Sequence, residues 1–502
     1  MLRLIRLNAT WKMKSLLPSI LSSKYHSVSS SSDNLDEVQK ITRIINDHPF
    51  PDQPLSPTLV QTIPVSTLST SLIENVLGRL FASHSNGLKA LEFFRFSLEH
   101  SHHLLTSDSF EKTLHILVRM RYFDKAWELM EEVQKLHPSL LTIKSMAIML
   151  AKIAKFKSFE DTFTAYERME NTIFVGKKFG IDEFNVLLRS FCTQRQMKEA
   201  RAVFNKMYSQ FSPNTTTMNI LLVGFKESGD ITAVELFYHE MVKRGFKPNA
   251  VTYHIRIDVY CKSGSLINGV RILKEMESAG FSPTVEIMTT LIHGAGIIRD
   301  LAKAKELFDE ISKRNLNPNV GAYNALMSSM TKCKSMVSAE ALMEEMNEKG
   351  IEYDTLTYHY LFFGLMKTNG IDRVVELYEK MTITSFLPMT RTIVMLMKFF
   401  CHNRRPDMGL RLWDYVLERG YCPHGHAVDL LATSLCSHGR VEEAFVCCKQ
   451  VLERGRSLSD CVFKMMENCL RREGDLEKLF ELEKMMERLQ LFLPPSSIVL
   501  PN

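Results

Sequence analysis

Ten cysteines and sixteen histidines are the side chains in these 502 residues best able to hold a metal or attack a substrate. Their spacing argues against both. No C-x-x-C occurs, and Cys447 and Cys448 are adjacent, so ordinary zinc spacing is lacking. His239 opens "HEM" without a second histidine four positions on, and "HGAGII" from His293 lacks the third glycine of a dinucleotide fingerprint. Neither a G-x-x-x-x-G-K-[ST] phosphate loop nor the paired H-x-E and C-x-x-C elements of a zinc deaminase is present. No enzyme activity, metal or cofactor is expected. What remains are short polar side chains that can make hydrogen bonds without doing covalent chemistry. Asn219 and Asn324, for example, each follow an apolar residue in the first turn of a helical pattern.

A period sets these residues in place. Pro213, Pro248, Pro283 and Pro318 are spaced by 35 residues, and Pro388 and Pro423 resume the phase after a miss at Tyr353. Gly245, Gly280, Gly350, Gly420 and Gly455 keep the same register three residues ahead of the proline slot. Seventeen prolines in the whole chain would fill so many equivalent slots by chance only rarely, so the period marks a true repeat.

Each unit carries two apolar stripes of helical spacing. Met218, Leu221, Leu222 and Phe225 form the first, at i, i+3, i+4 and i+7; Leu301, Ala304, Leu307, Phe308 and Ile311 typify the second. Gly229 and Gly264 read as turns between the two helices. Ala304, Ala339, Ala444, Gly269 and Gly409 share a small slot that predicts close helix approach. Cys192, Cys261, Cys401 and Cys436 likewise share one slot and read as core thiols.

A helix pair cannot bury both stripes alone, so neighbours must stack. The fold expected is all-α: a right-handed α-solenoid superhelix of about eleven helix-turn-helix units. Well-defined 35-residue units span 181–459, looser ones 71–180 and 460–490, with a linker over 33–70 and a tail over 491–502.

Hydrophobic content of 45% and charged content of 24% are those of a folded chain. The first 32 residues hold Arg3, Arg6, Lys12, Lys14 and Lys24, no acid, and a serine-rich end, the composition of a mitochondrial transit peptide. A matrix location is expected ahead of the chloroplast. Those five basic residues account for the whole formal net charge of +5, so the remainder gives no electrostatic signature of a nucleic-acid partner. No apolar run approaches the roughly 20 residues of a membrane span.

The unit endings "GFKPN", "GFSPT" and "NLNPN", the openings "VTYH", "GAYN" and "LTYH", and the medial "CKSG" resemble those of pentatricopeptide repeat proteins, in particular the plant-type P subfamily targeted to organelles. That resemblance implies binding of single-stranded RNA, one base per unit, with the fifth and last residues of each unit facing the base. The pairs are then Asn185 with Asn214, Asn219 with Asn249, His254 with Thr284, Thr289 with Asn319, Asn324 with Asp354, and His359 with Met389; Val394 with His424 and Asp429 with Ser459 follow.

By the family's pairing rules the chain reads 5′-C-C-N-A-U-3′ across five units, N to C. The resemblance also makes Val251 and Leu356 wedges between bases, with Asp182, Glu286 and Gly321 departing from that pattern, and Lys262, Lys332 and Lys367 phosphate contacts. Asn249, Asn319 and Asp354 read equally as helix caps, and the lysines as solvated charges.

The function implied is processing, splicing, stabilisation or translation of mitochondrial transcripts, with other RNA-processing or ribosomal proteins as further partners and no DNA. The alternative is a protein-binding solenoid scaffold, such as a mitochondrial ribosome-associated component.

Overall fold

A computed structural model describes residues 32–490 apart from 50–52, 369, 384–385, 387 and 423. The expected transit peptide up to residue 31, the tail from 491 and Pro423 lie outside the described residues. Described secondary structure is helical throughout, and no described helix is long and apolar enough to cross a membrane.

Eight regular helix pairs begin at Ile181 and end at Glu453. In the unit from 250, Ala250–Lys262 is followed by Leu266–Ser278; in the unit from 320, Val320–Lys332 is followed by Met336–Glu348. Between successive units the chain turns through a left-handed backbone, with φ of +86° at Gly245 and +85° at Gly280, which glycine adopts without a Cβ penalty. Where Asn315 takes that slot, φ is +58°, a value asparagine tolerates better than most residues.

The two stripes account for the packing. First helices touch the first helices of the units before and after, forming one continuous layer, while second helices rest chiefly on their own unit. Met218, Leu221 and Leu222 are wholly buried, as are Ala304, Ala339 and Ala444 in the small slot. Cys261 underlies the next unit's Gly294, where an added Cβ would stand 2.8 Å from its sulfur. The thiols of Cys192 and Cys261 are pushed up to about 12 by burial, so they are packing groups. Arg256, 3% exposed, ties two units together: Nη2 pairs with Glu235 at 2.8 Å and Nη1 with Glu275 at 2.7 Å, over the Tyr238 ring.

Two features depart from the sequence expectation. Residues 33–70 do not form a linker. Ser32–Asp47 and Leu55–Thr62 are helices, because Val38, Ile41 and Ile45 make a stripe that buries against the first repeat, and Leu55 and Leu59 do the same. Pro49 and Pro54 fall between the two helices, and Pro57 sits in the first turn of the second, where its missing N–H costs no helical bond.

The second departure is a seam. Nine and ten units after the pair that starts at Thr70, the chain comes back to it: the Cys422 N–H donates to Ser83 O at 2.9 Å and Arg456 Nη2 to His84 O at 3.1 Å. Arg119 Nη1 donates to Phe81 O at 2.8 Å, so the free carbonyls ending helix Thr70–Ala82 are capped by side and main chain from both ends of the protein.

Candidate nucleic-acid interface

The fifth residue of each unit lies in the first turn or so of a first helix, flanked by stripe residues; the last residue precedes the next first helix. This puts the two side chains on neighbouring helix starts, although 30 residues separate them. Asn324 Nδ2 donates to Asp354 Oδ1 at 2.9 Å, and Asn219 Nδ2 donates to Asn249 Oδ1 at 3.1 Å. In a third unit Ser459 Oγ donates to Asp429 Oδ1 at 2.8 Å. Pairing and capping prove to be one arrangement. Asp354 Oδ1 also accepts from Leu356 N and Thr357 N, and Asn249 Oδ1 from Thr252 N, so each last residue caps the following helix while it grips the fifth.

All these bonds converge on Oδ1, and the other terminal atom takes no part in them. In one unit that atom is the Asp354 Oδ2, an acceptor; in the other it is the Asn249 Nδ2, a donor. Asn219 and Asn324 are themselves 6% and 2% exposed, held below the surface that their partners reach.

Among the described residues no hydrogen bond joins Asn185 to Asn214, His254 to Thr284 or Thr289 to Asn319. Asn185 is buried with its Oδ1 unpartnered, while Asn214 caps Thr217 N at 3.0 Å. His254 contacts Thr290 Oγ1 at 2.9 Å and Thr284 stands exposed. Thr289 turns its hydroxyl back to Val285 O, and Asn319 caps Ala322 N. His359 is buried against Thr392 Oγ1 at 3.0 Å, and its pKa is pushed down to about 4 by burial with Arg391 nearby.

Val251 and Leu356 are 55% and 39% exposed on the same helix starts. The three lysines differ from one another. Lys262 is tied to Asp258 at 2.8 Å and has Glu227 beyond it, so it is half neutralised. Lys332 and Lys367 take part in no ion pair among the described residues; burial and Lys367 lower the pKa of Lys332, and His293 beside Lys332 is pushed down to about 4, chiefly by burial. No group of three or more metal-ligating residues occurs among the described residues.

Sequence reasoning missed the third residue of each unit. Thr252 Oγ1 reaches Asn219 Oδ1 at 2.8 Å and Thr357 Oγ1 reaches Asn324 Oδ1 at 2.8 Å, both from wholly buried threonines. The "VTY" and "LTY" openings carried the signal, but a hydroxyl in the first helical turn reads as a cap.

Stacked helix pairs of this period, with paired polar residues at their helix starts, define an α-solenoid repeat protein. Family models for the PPR repeat family match residues 183–226, 213–262 and 318–367, for the pentatricopeptide repeat domain 271–332, and for the PPR repeat 251–281 and 429–456. Residues 183–367 and 429–456 of the chain are thus pentatricopeptide repeats.

Two curated relatives come from Arabidopsis thaliana. Pentatricopeptide repeat-containing protein At3g61360 is 63% identical over 231 residues, 46% of each chain. Putative pentatricopeptide repeat-containing protein At1g02420 is 35% identical over 178 residues, 36% of this chain and 35% of its own. The chain thus spans about half the length or less of the curated relatives it matches. Among solved structures, PPR10 from maize aligns over 93% of this chain and 71% of its own at 17% identity, with a TM-score of 0.38.

Proposed function

We propose that this chain is a sequence-specific single-stranded RNA-binding protein of the P subfamily that acts in mitochondria on one or a few transcripts, by occupying RNA rather than by cutting it. Several relatives carry "mitochondrial" in their names, which supports the location. The observation that carries the RNA reading is the contrast between two units of matching geometry. The unit ending at Asn249 presents a free N–H donor where the unit ending at Asp354 presents a free oxygen acceptor.

Unpaired bases differ in the complementary sense on their Watson–Crick edges: cytosine N3 accepts and uracil N3–H donates. Asn219 with Asn249 therefore suits cytosine, and Asn324 with Asp354 suits uracil. The geometry and the pairing rules of the family agree on these two of the five bases. Processing, splicing, stabilisation and translation all follow from covering a defined RNA segment.

Anisotropy titration of the purified full chain with labelled RNA containing 5′-CCNAU-3′, against the same RNA with C as fifth base, tests the reading. The wild type should prefer U by about tenfold, since a good base contact is worth about 1–3 kcal/mol. Asp354→Asn keeps the shape and the cap but exchanges acceptor for donor, and should reverse the preference. Failure of both RNAs to bind above a random sequence would favour a protein-holding solenoid instead.

A further inference from the structure

We infer that the third residue of a unit is a positioning residue for base reading by the unit before it, and that Thr357 and Thr252 fill this role; the inference rests on the RNA-binding reading above. An asparagine amide can present its oxygen or its nitrogen, and reading a base depends on which. Two contacts settle the matter for Asn324. Asp354 Oδ1 is an acceptor on one side, so Nδ2 must face it, at 2.9 Å. On the other side the Thr357 hydroxyl donates to Asn324 Oδ1 at 2.8 Å. A flipped amide would set two oxygens against each other at Asp354.

The same triangle recurs around Asn219. There Asn249 Oδ1 is committed as an acceptor by the Thr252 N–H at 3.1 Å, Asn219 Nδ2 faces it, and the Thr252 hydroxyl donates to Asn219 Oδ1. Each threonine is wholly buried, so no water competes for its single proton; the other acceptor in reach is the capping Oδ1 of Asp354 or Asn249, at 3.1 Å against 2.8 Å to the asparagine oxygen. A third instance holds a different ring: Thr392, third in its unit, meets His359 Nδ1 at 3.0 Å.

Units followed by a residue without a hydroxyl behave differently. Ile287 follows the unit of His254, whose ring goes to Thr290 instead. Ala322 follows the unit of Thr289, whose hydroxyl turns back to Val285 O, away from Asn319. The bases of these two units, third and fourth in the five-base site, should accordingly be read more loosely than the second and fifth.

The capping role of the threonine separates from its positioning role through a natural control. Thr217 accepts from its cap residue in the same way, from Asn214 N at 3.3 Å, but its proton goes to Asn214 Oδ1 at 3.2 Å, and Asn185 Oδ1 has no partner. Thr217→Val therefore removes a cap hydroxyl without freeing an aimed amide.

The experiment is the two-RNA titration repeated with Thr357→Val, Thr357→Ser and Thr217→Val in the full chain. Thr357→Val should bring the U-over-C preference at the fifth base from about tenfold to about twofold and leave the preference at the second base intact. Thr357→Ser should restore it, and Thr217→Val should change no preference. If Thr357→Val does not fold, Thr252→Val read at the second base takes its place. A Thr357→Val protein that discriminates like the wild type, or that weakens for both RNAs equally as a cap mutant would, overturns the inference. A wild type with no preference overturns the RNA reading itself.

Discussion

Asn86 Nδ2 donates to the carbonyl oxygen of Gly455 at 3.0 Å, joining positions 369 residues apart in sequence. Around it, Asn46 Nδ2 donates to Gly420 O, Arg79 Nη2 to Arg419 O at 3.1 Å, and Arg454 pairs with Asp47. These contacts are polar throughout. The apolar core runs as one cluster from Val38 to Val259 and a second from Tyr253 to Leu489, meeting mid-chain and not across the seam. The superhelix therefore closes on itself through hydrogen bonds, which contribute modestly in net terms but are costly to leave unmade when buried.

Asn86→Ser should open this joint selectively. Serine retains an oxygen to cap Leu88 N, as Asn86 Oδ1 does at 2.8 Å, but cannot reach Gly455. The buried Gly455 carbonyl then lacks a donor, at a cost of about 1–3 kcal/mol. Hydrogen exchange at the Cys422 amide, which donates to Ser83 O, should speed up by about fivefold or more while the amides of helix Val285–Ile297 keep their protection. Unchanged exchange at Cys422 would mean that the seam does not depend on Asn86.

Much of this structure was legible in the sequence because the repeat is local. The phase of Pro248 and Gly245 sets where helix Ala250–Lys262 begins, and the stripe Met218, Leu221, Leu222, Phe225 sets which face its neighbour buries. The pairing of Asn324 with Asp354 was accessible through resemblance to a family. The seam was not accessible, since the meeting of His84 with Arg456 depends on small rotations summed over ten units, and no local pattern encodes such a sum. The helix Ser32–Asp47 was hidden by the prolines that follow it. Thr357 was visible but ambiguous, because one hydroxyl serves cap and neighbour together.

Gly294→Ala tests the close approach of first helices. A Cβ at this position would stand 2.9 Å from Cys261 Cβ and 3.3 Å from its Cα, and the latter belongs to a helix backbone that cannot step aside. Overpacking of this kind costs about 1–3 kcal/mol. Chemical denaturation should show that loss, and Cys261→Ala in the same chain should recover part of it by removing the sulfur 2.8 Å away. Additive effects of the two substitutions would separate the sites energetically.

Four histidines give the stability a pH dependence of definite sign. Burial, reinforced by Arg119 and Arg456, pushes His84 down to about 3; burial, with Lys152 and Arg119, takes His115 to about 4. Burial beside Lys332 takes His293 to about 4, and burial beside Arg391 does the same for His359. Unfolded, each would accept a proton near 6.5, whereas folded each resists until about 4 or below. Between those limits the unfolded chain binds more protons, so stability is full above about 6.5 and falls as pH drops toward 4. A tenfold difference in proton affinity between the two states is worth about 1.4 kcal/mol, so each histidine removes about 1–2 kcal/mol by pH 5. Carboxylates with depressed values, such as Asp258, titrate lower still and leave this window to the histidines. Urea midpoints measured at pH 7.5 and 5.0 should drop accordingly, and His293→Leu should make the drop shallower; a flat profile would show that these rings are charged in the folded chain.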